Sequence, residues 1–462
     1  MNREELIEEL QRIFGQENVL TAEAELLAYE YDSTVFHATP GVVVFPTSAE
    51  QLSDMVRLAR QAGVPYVARG AGTNLSGGSI PPEGGIVVAF TKMDRILEVD
   101  IPNRRAVVEP GVVNLDLKRA VEPYGLTYAP DPASQKVSTM GGNVAENAGG
   151  PHCLKYGVTA NHVLGLEVVL PDGRIVQFGG RMEDVPGYDL VGLFVGAEGT
   201  LGLITQIIVR LVPLPEAAVT LLAIFDTLHS AAQTVSDIIA RGIVPAALEM
   251  MDHHAIGVVE ANVGVGLPTD AAGALIIELE GLADGLERQA AVIQDICLQN
   301  GARQVQVALS EEERERLWTG RRAAFGAMAR LAPSGYLADG VVPRTRLPEV
   351  LEKVEEISRK YGLEIGNVFH AGDGNIHPHI LFDEREPGVL ERVFAASAEI
   401  LEACVAAGGT ITGEHGIGLE KRQEMSLLFS PQELALMARI KRAFDPQGLC
   451  NPEKVFPQIV SS

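Results

Sequence analysis

Three glycine-rich loops, "RGAGTNLSGG" (69–78), "STMGGNVAENAGG" (138–150) and "VGAEGTLGLI" (195–204), interrupt the first half of this chain and restrict its fold more than any other feature. Glycines let a backbone approach a ligand closely, and successive N–H groups in such loops can cradle a pyrophosphate. The first loop follows a strand-like run, "VPYVARG", as a dinucleotide fingerprint would. Gly70 and Gly72 fit GxGxxG, but Leu75 stands at the third glycine's place, and "SGGSIPPEGG" continues as loop rather than helix. No Walker sequence is present, and a Rossmann domain is set aside. Thr73, Asn74, Ser76 and Ser138 add neutral donors. For one loop alone, flexible turns suffice as an explanation; three in one half weaken it.

The segments between the loops have regular periods. "MNREELIEELQRIFG" places Leu6, Ile7, Leu10 and Ile13 at helical spacing. "GVVVFP" (41–46) reads as a buried strand. It is followed by a helix with Leu52, Met55, Val56 and Ala59 on one stripe, Gly63 as its stop and a capping box from Thr47 with Glu50 or Ser48 with Gln51. With "VPYVARG" this gives a β-α-β unit over 41–70, and "GGIVVAF" is a further strand. Hairpins are expected at Pro102-Asn103 and Asp172-Gly173. "LVPLPEAA" (211–218) reads as a linker, after which the rhythm changes. Strands at 219–225, 245–250, 273–280 and 302–308 with helices at 229–241 and 284–299 give β-α-β-β-α-β, the ferredoxin-like order. After a helix near 311–330 a similar order recurs, with strands at 336–342, 363–370, 376–382 and 409–413 and helices at 347–361 and 388–407.

A formal net charge of -24 argues against nucleic acid and against direct binding to anionic lipid, so an anionic substrate would need a local cationic site. The N-terminus lacks the basic start and apolar run of a signal peptide, and no stretch approaches the roughly 20 apolar residues of a membrane span. Cys153, Cys297, Cys404 and Cys450 are far apart, which excludes a CxxC-based cluster within the chain and fits a reducing cytoplasm. Electrons stored here would have to leave through another molecule.

"HAGDGNIHPH" (370–379) gathers three of the chain's ten histidines around a tight turn. A hairpin there brings His370 and His377 together, and His377 and His379 share a strand face. "TITGEHGIG" (410–418) adds Glu414 and His415 between glycines. Two histidines and a carboxylate suit zinc, manganese or iron(II), although the Gly-Asp-Gly-Asn turn also stands on its own, with histidines that merely bond backbone. "LWTGRRAAF" (317–325) places Arg321 and Arg322 on a helix, either as a solvated basic patch or as a fork for a carboxylate; Arg344 is a weaker candidate.

"PTSAEQLSDMVRLARQAGVPYVARGAGTNLSGG", "PDPASQKVSTMGGNVAENAGGPHCLKYG" and "GAEGTLG" resemble the flavin-binding domain of the vanillyl-alcohol-oxidase, or PCMH, type. The second half, to "FDPQGLCNPEKVFP" (444–457), resembles the C-terminal domain of FAD-linked oxidases. The resemblance implies an α+β chain: a PCMH-type FAD-binding domain of two α/β subdomains (1–215), a substrate and metal domain with a ferredoxin-like antiparallel sheet (216–420), and a segment returning to the FAD domain (421–462).

By position, the resemblance puts Arg69, Gly70, Ala71, Gly72, Thr73, Asn74, Ser76, Gly77 and Gly78 around the FAD pyrophosphate. Pro130, Asp131, Ser134, Thr139, Gly141, Gly142, Asn143 and Ala145 would line the flavin and ribityl region. Gly149, Gly157, Val163, Glu198, Gly202 and Ile204 would reach the remainder, with Asn451 and Lys454 closing over it. Thr73 stands where some relatives carry a flavin-linking histidine, which implies noncovalent FAD, and Cys153 reads as a plain buried cysteine.

The same resemblance makes His370, His377 and Glu414 ligands of a divalent metal (Zn, Mn or Fe), His415 the general base and Arg321 the substrate-carboxylate partner. It implies oxidation of a small 2-hydroxy acid, glycolate or D-lactate, with hydride passing to flavin N5 and electrons then passed to a partner or quinone. The alternatives are a D-2-hydroxyglutarate-type dehydrogenase or a non-redox FAD-dependent transferase. In the hydroxyglutarate branch a lysine stands near Leu337 and an asparagine at His379, and the leucine favours monocarboxylates. The implied partners are an iron–sulfur subunit and a second flavin-type subunit of a glycolate-oxidising complex at the inner membrane face, or a second copy of the chain.

Overall fold

The computed structural model describes residues 1–182 and 186–457, so positions 183–185 and 458–462, the latter being the last residues of the expected 421–462 segment, lie outside the described residues. The chain divides into two compact units. One comprises residues 1–149, 158–214 and those from 414 onward; the other comprises 150–157 and 215–413.

Among the described residues the first unit holds two main sheets and one two-stranded pairing. In the smaller, strands run in the order Val19–Leu20, Val42–Val44, Ile86–Ala89, Tyr66–Arg69. The strands of the β-α-β unit over 41–70 are therefore not neighbours, because Ile86–Ala89 lies between them, parallel to both. Helix Ala49–Ala62 turns Leu52, Met55, Val56 and Ala59 into a core shared with Leu6, Leu10 and Phe14 of helix Arg3–Phe14. Each large side chain buried there contributes about 1.5–3 kcal/mol. Neither expected capping box forms as written. Ser48 caps the helix by accepting from Gln51 N–H, but the Gln51 carbonyl oxygen accepts from the N–H and hydroxyl of Thr47.

The larger sheet of this unit is antiparallel, in the order Ile96–Asp100, Arg105–Val108, Leu203–Arg210, Val163–Val169, Ile175–Gly179. It contains both expected hairpins, the second closed by Gly173 at φ +85°. The expected linker 211–218 is more ordered than a linker: Val212–Pro213 pairs with Leu126–Thr127, and the next strand begins at Ala217.

The second unit is built on one antiparallel sheet, ordered Ala302–Val307, Ala217–Phe225, Gly273–Gly281, Ala247–Asp252, Glu364–His370, Asn375–Phe382, Ser334–Leu337. Its first four strands, taken by chain order, run 4-1-3-2. They join the second set where Ala247–Asp252 pairs with Glu364–His370. Three details depart from the expected order. Helix His253–Asn262, capped by Asp252, intervenes before Gly273–Gly281. The strand at 336–342 splits into Ser334–Leu337 and Gly340–Val341. No strand forms at 409–413; only an isolated bridge joins Thr410 to Val341. Helices His253–Asn262 and Glu311–Met328 pack together over Leu222, Ile224, Met251 and Ile276 on one sheet face.

Candidate functional site

The hairpin Glu364–His370 and Asn375–Phe382 carries the histidines. His370 lies opposite Asn375 and Val368 opposite His377, so the two imidazoles are diagonal neighbours on one face. Their rings stand perpendicular with centroids 5.0 Å apart. The turn is forced tight. Gly374 sits at φ +82°, where a Cβ would come 2.0 Å from the Val342 carbonyl oxygen, and Asp373 accepts the N–H of Asn375.

A carboxylate absent from the sequence reading sets the electrostatics here. Glu249, on strand Ala247–Asp252, meets His370 Nδ1 at 2.8 and 3.0 Å. It also accepts from Arg321 Nε at 2.7 Å and lies 2.5 Å from Arg321 Nη2. Burial alone would raise its pKa, but Arg321 and His370 hold it below the ordinary carboxylate range. A carboxylate on Nδ1 orients the ring and points Nε2 away from it, the arrangement common behind metal-ligating histidines. Arg321 thus arrives on its helix already paired, with Nη1 outside that pairing.

Asp339, also missed, is fully buried. It lies 3.8 Å from His377 Nδ1 and accepts from the Thr412 hydroxyl at 2.6 Å and Gly413 N–H at 3.0 Å. Gly413 packs so closely on Asn375 that a Cβ would lie 2.4 Å from its amide nitrogen. The segment leading into Glu414 and His415 is thereby fixed up to its last residue in this unit. His379 ring-stacks on Phe325 at 5.0 Å, its Nδ1 finds no hydrogen-bond partner among the described residues, and burial pushes its pKa down to about 4. Leu337 is its register partner. Arg344 is engaged elsewhere, donating to Gly372 O.

Arg314 and Trp318 converge on a second buried acid of this sheet, Glu278, with Thr220 and His152. Burial opposes its ionisation, yet His152 and Arg314 bring it down to about 2. With Tyr156 and Lys155 on Glu280, this network fastens residues 150–157, Gly157 included, to the sheet. Cys153 within it is half-buried rather than fully buried.

In the other unit the glycine loops converge. A Cβ on Gly70 would lie 2.3 Å from Thr139 Oγ1, the cap of helix Met140–Glu146. Asn74 folds the first loop on itself by accepting from Ser76 and Gly78 N–H. Gly141 N–H donates to Pro110 O, Pro130 O accepts from Asn114, and Ala145 O accepts from Glu198 N–H. Ser138 Oγ and Asn143 Nδ2 are buried without a hydrogen-bond partner among the described residues. Orphaned buried groups beside a helix N-terminus and a tight glycine loop fit a polar, anionic cofactor. Other expected residues have partners within the protein. Arg69 donates to Tyr31 O and lies over the Tyr29 ring, and Asn451 binds the carbonyls of Gly78 and Glu198. Burial pushes Lys454 down to about 8.

The family described as FAD linked oxidases, C-terminal domain, matches residues 214–455, and an FAD binding domain matches 40–179. The chain belongs to the FAD-linked oxidase family. Within it, the chain is 46% identical to the glycolate oxidase subunit GlcD of Bacillus subtilis (strain 168), over 97% of this chain and 96% of that protein. It is 36% identical to a D-lactate dehydrogenase of Archaeoglobus fulgidus, over 93% and 95%. A crystal structure of p-cresol methylhydroxylase superposes with a TM-score of 0.83 at 18% identity, covering 98% of this chain and 96% of that one; that likeness speaks for the fold alone. This FAD-linked oxidase is thus an FAD-dependent oxidoreductase.

Proposed function

We propose that this FAD-linked oxidase converts a small 2-hydroxy acid, glycolate or D-lactate, to the 2-oxo acid, the substrates in the names of its relatives. The observation that carries the reading is the row Arg321–Glu249–His370, beside His377. It offers a guanidinium for a carboxylate and two oriented imidazoles for a divalent ion. We assign the metal to His370, His377 and Glu414; Glu414 is the residue after Gly413, whose N–H is held by Asp339. Bound FAD supplies a two-electron acceptor, and the bound ion a Lewis acid for the substrate hydroxyl.

The protein's own groups do the rest. Arg321, fixed by Glu249, orients the substrate carboxylate through Nη1. His415, nearly buried and with Nε2 3.9 Å from Glu414 Oε1, takes the hydroxyl proton as general base. Leu337 and the stacked His379–Phe325 pair offer no cation for a second carboxylate, which supports a monocarboxylate over 2-hydroxyglutarate. The FAD site occupies 1–215 with the returning segment 421–462, and the substrate and metal groups 216–420. The electrons leave to a partner, an iron–sulfur or second flavin-type subunit. Among the described residues no helix is long and apolar enough to cross a membrane, so attachment at the inner face would run through such partners.

Anaerobic stopped-flow against D- and L-hydroxy acids, on metal-analysed holoenzyme, tests the reading. Glycolate or D-lactate should bleach the flavin, and His415→Ala should retain FAD and metal yet slow bleaching about 10²–10⁴-fold. Flavin that no hydroxy acid bleaches, with or without added divalent metal, would sink it.

A further inference from the structure

Glu198 holds a backbone conformation that side-chain-bearing residues rarely adopt, with φ at +51°. Such an outlier points to a side chain kept for a purpose. The residue is buried, and each carboxylate oxygen accepts one backbone N–H, from Ile417 at 2.7 Å and Gly418 at 2.7 Å. The opposite side of this segment is held as firmly. Ser76 O, in the first glycine loop, accepts from Leu419 N–H at 2.9 Å and Glu420 N–H at 3.1 Å. Asn451 ties the two supports together, its amide donating to Gly78 O at 2.9 Å and Glu198 O at 2.7 Å.

There is no slack in the clamp. A Cβ on Gly418 would lie 2.0 Å from Ser76 O, and one on Gly416 would lie 2.6 Å from Glu146 Oε2 and 2.9 Å from Glu198 Oε1. Glu146, half-buried with its Oε2 shielded from solvent, has its pKa pushed up by desolvation and by the neighbouring Glu198 carboxylate, with Asp32 adding to the push and Lys421 opposing it. The pair therefore carries its negative charge on Glu198, where two N–H donors, Lys421 and Lys454 face it.

We propose that Glu198 is a positioning residue: by gripping the N–H groups of Ile417 and Gly418 it sets the place of His415, two residues upstream, and couples that place to the packing of the cofactor loops 69–78 and 195–204. The inference rests on His415 acting as the base. It gives Glu198 a duty distinct from contact with the cofactor: a loop drawn tight around FAD becomes a loop that aims an imidazole.

The test compares Glu198→Gln, His415→Ala and the double variant as holoenzymes. Glu198→Gln keeps the shape but presents an amide N–H₂ to one of two N–H donors. It should load FAD as the parent does and slow flavin reduction about 10- to 100-fold. Within the His415→Ala background the same change should add less than about 2-fold, because both act through one group. Parental reduction by Glu198→Gln, or a full additional loss in the double variant, would overturn the proposal. So would loss of FAD, which would make Glu198 a cofactor wall. Undiminished reduction by His415→Ala would strike the base assignment itself and the inference with it, an outcome recognisable whatever Glu198→Gln does. Hydrogen exchange on the unmodified holoenzyme needs no variant. The Ile417 and Gly418 amides should be strongly protected, and exchange at open-loop rates would equally overturn the clamp.

Discussion

The two units prepare for chemistry in opposite ways. In the glycine-loop unit the working groups are backbone N–H and carbonyl groups, and selection acts on what is missing: a Cβ at Gly70 or Gly418 would occupy space already filled. In the sheet unit they are side chains on regular strands, and what matters is charge: Glu249 is almost completely buried and answers both Arg321 and His370. Loops built by exclusion suit a large, polyanionic cofactor that needs many weak donors. A sheet carrying a charged row suits a small substrate that needs one cation and an oriented imidazole.

The largest effect expected from breaking this contrast is at Glu249. Glu249→Ala leaves Arg321 and His370 without their counter-charge, and removing one partner of a buried ion pair costs about 3–5 kcal/mol. Denaturant unfolding should show that loss, and metal analysis a lower metal content. Glu249→Gln, which preserves volume and one acceptor, should lose less stability but still weaken metal binding about 10- to 100-fold. A cost under about 1 kcal/mol for the alanine variant would mean that the row is not held by charge.

Two glycines sharpen the comparison, because each meets a backbone carbonyl at 2.0 Å on a positive-φ turn: Gly418 against Ser76 O and Gly374 against Val342 O. Alanine at either should cost about 3 kcal/mol from overpacking and left-handed strain. The functional losses should diverge. Gly418→Ala should release flavin, seen as lost absorbance, whereas Gly374→Ala should lose metal and keep flavin. Loss of flavin from Gly374→Ala, with its metal retained, would erase the division of labour.

What could be read from the sequence follows the same divide. The His370–His377 pairing was legible because a Gly-Asp-Gly-Asn turn and period-2 strands fix register locally. Glu249 was not: an acid inside "AALEMMD" looks like part of a strand's solvent face until Glu364–His370, more than 100 residues later, pairs alongside that strand. The helix His253–Asn262 was hidden by its Ile and Val content, although Asp252 ahead of it was an available cap signal. "TIT" at 410–412 has strand propensity, yet the chain there spends its polar groups on Asp339 instead of a ladder. For Glu198, the left-handed backbone and its N–H partners more than 200 residues away leave no local trace.

Acid separates the units next. His379, lowered to about 4 by burial, stays neutral in the folded chain while the unfolded chain protonates near 6.5. Its contribution is complete above pH 6.5 and is lost as pH falls towards 4, by about 3 kcal/mol in all. Glu198, raised to about 6 by burial, holds its proton longer in the folded chain. Its unit loses stability as pH rises from about 4.5 through 6. Hydrogen exchange followed between pH 4 and 7 should show opposite slopes in the two units, and His379→Asn should flatten only that of the sheet unit. Parallel slopes would remove burial as the cause.

The smallest effect lies away from both sites, where helix Ala49–Ala62 begins. Ser48 is the formal cap, but its hydroxyl accepts Gln51 N–H at 3.4 Å, a long bond. The Gln51 side chain does more. Its carbonyl oxygen accepts from Thr47 N–H at 2.9 Å and Thr47 Oγ1 at 3.0 Å, and its amide donates to Ile13 O at 3.1 Å, in the first helix. Gln51→Ala should therefore cost about 1 kcal/mol and Ser48→Ala about 0.5, the reverse of the usual order for an N-cap and its third residue. Equilibrium unfolding of the two variants decides it. With Ser48 the costlier, the helix would be held by its cap alone; with Gln51 the costlier, a regular layer of the glycine-loop unit is held, like its loops, by polar groups reaching backbone across the chain.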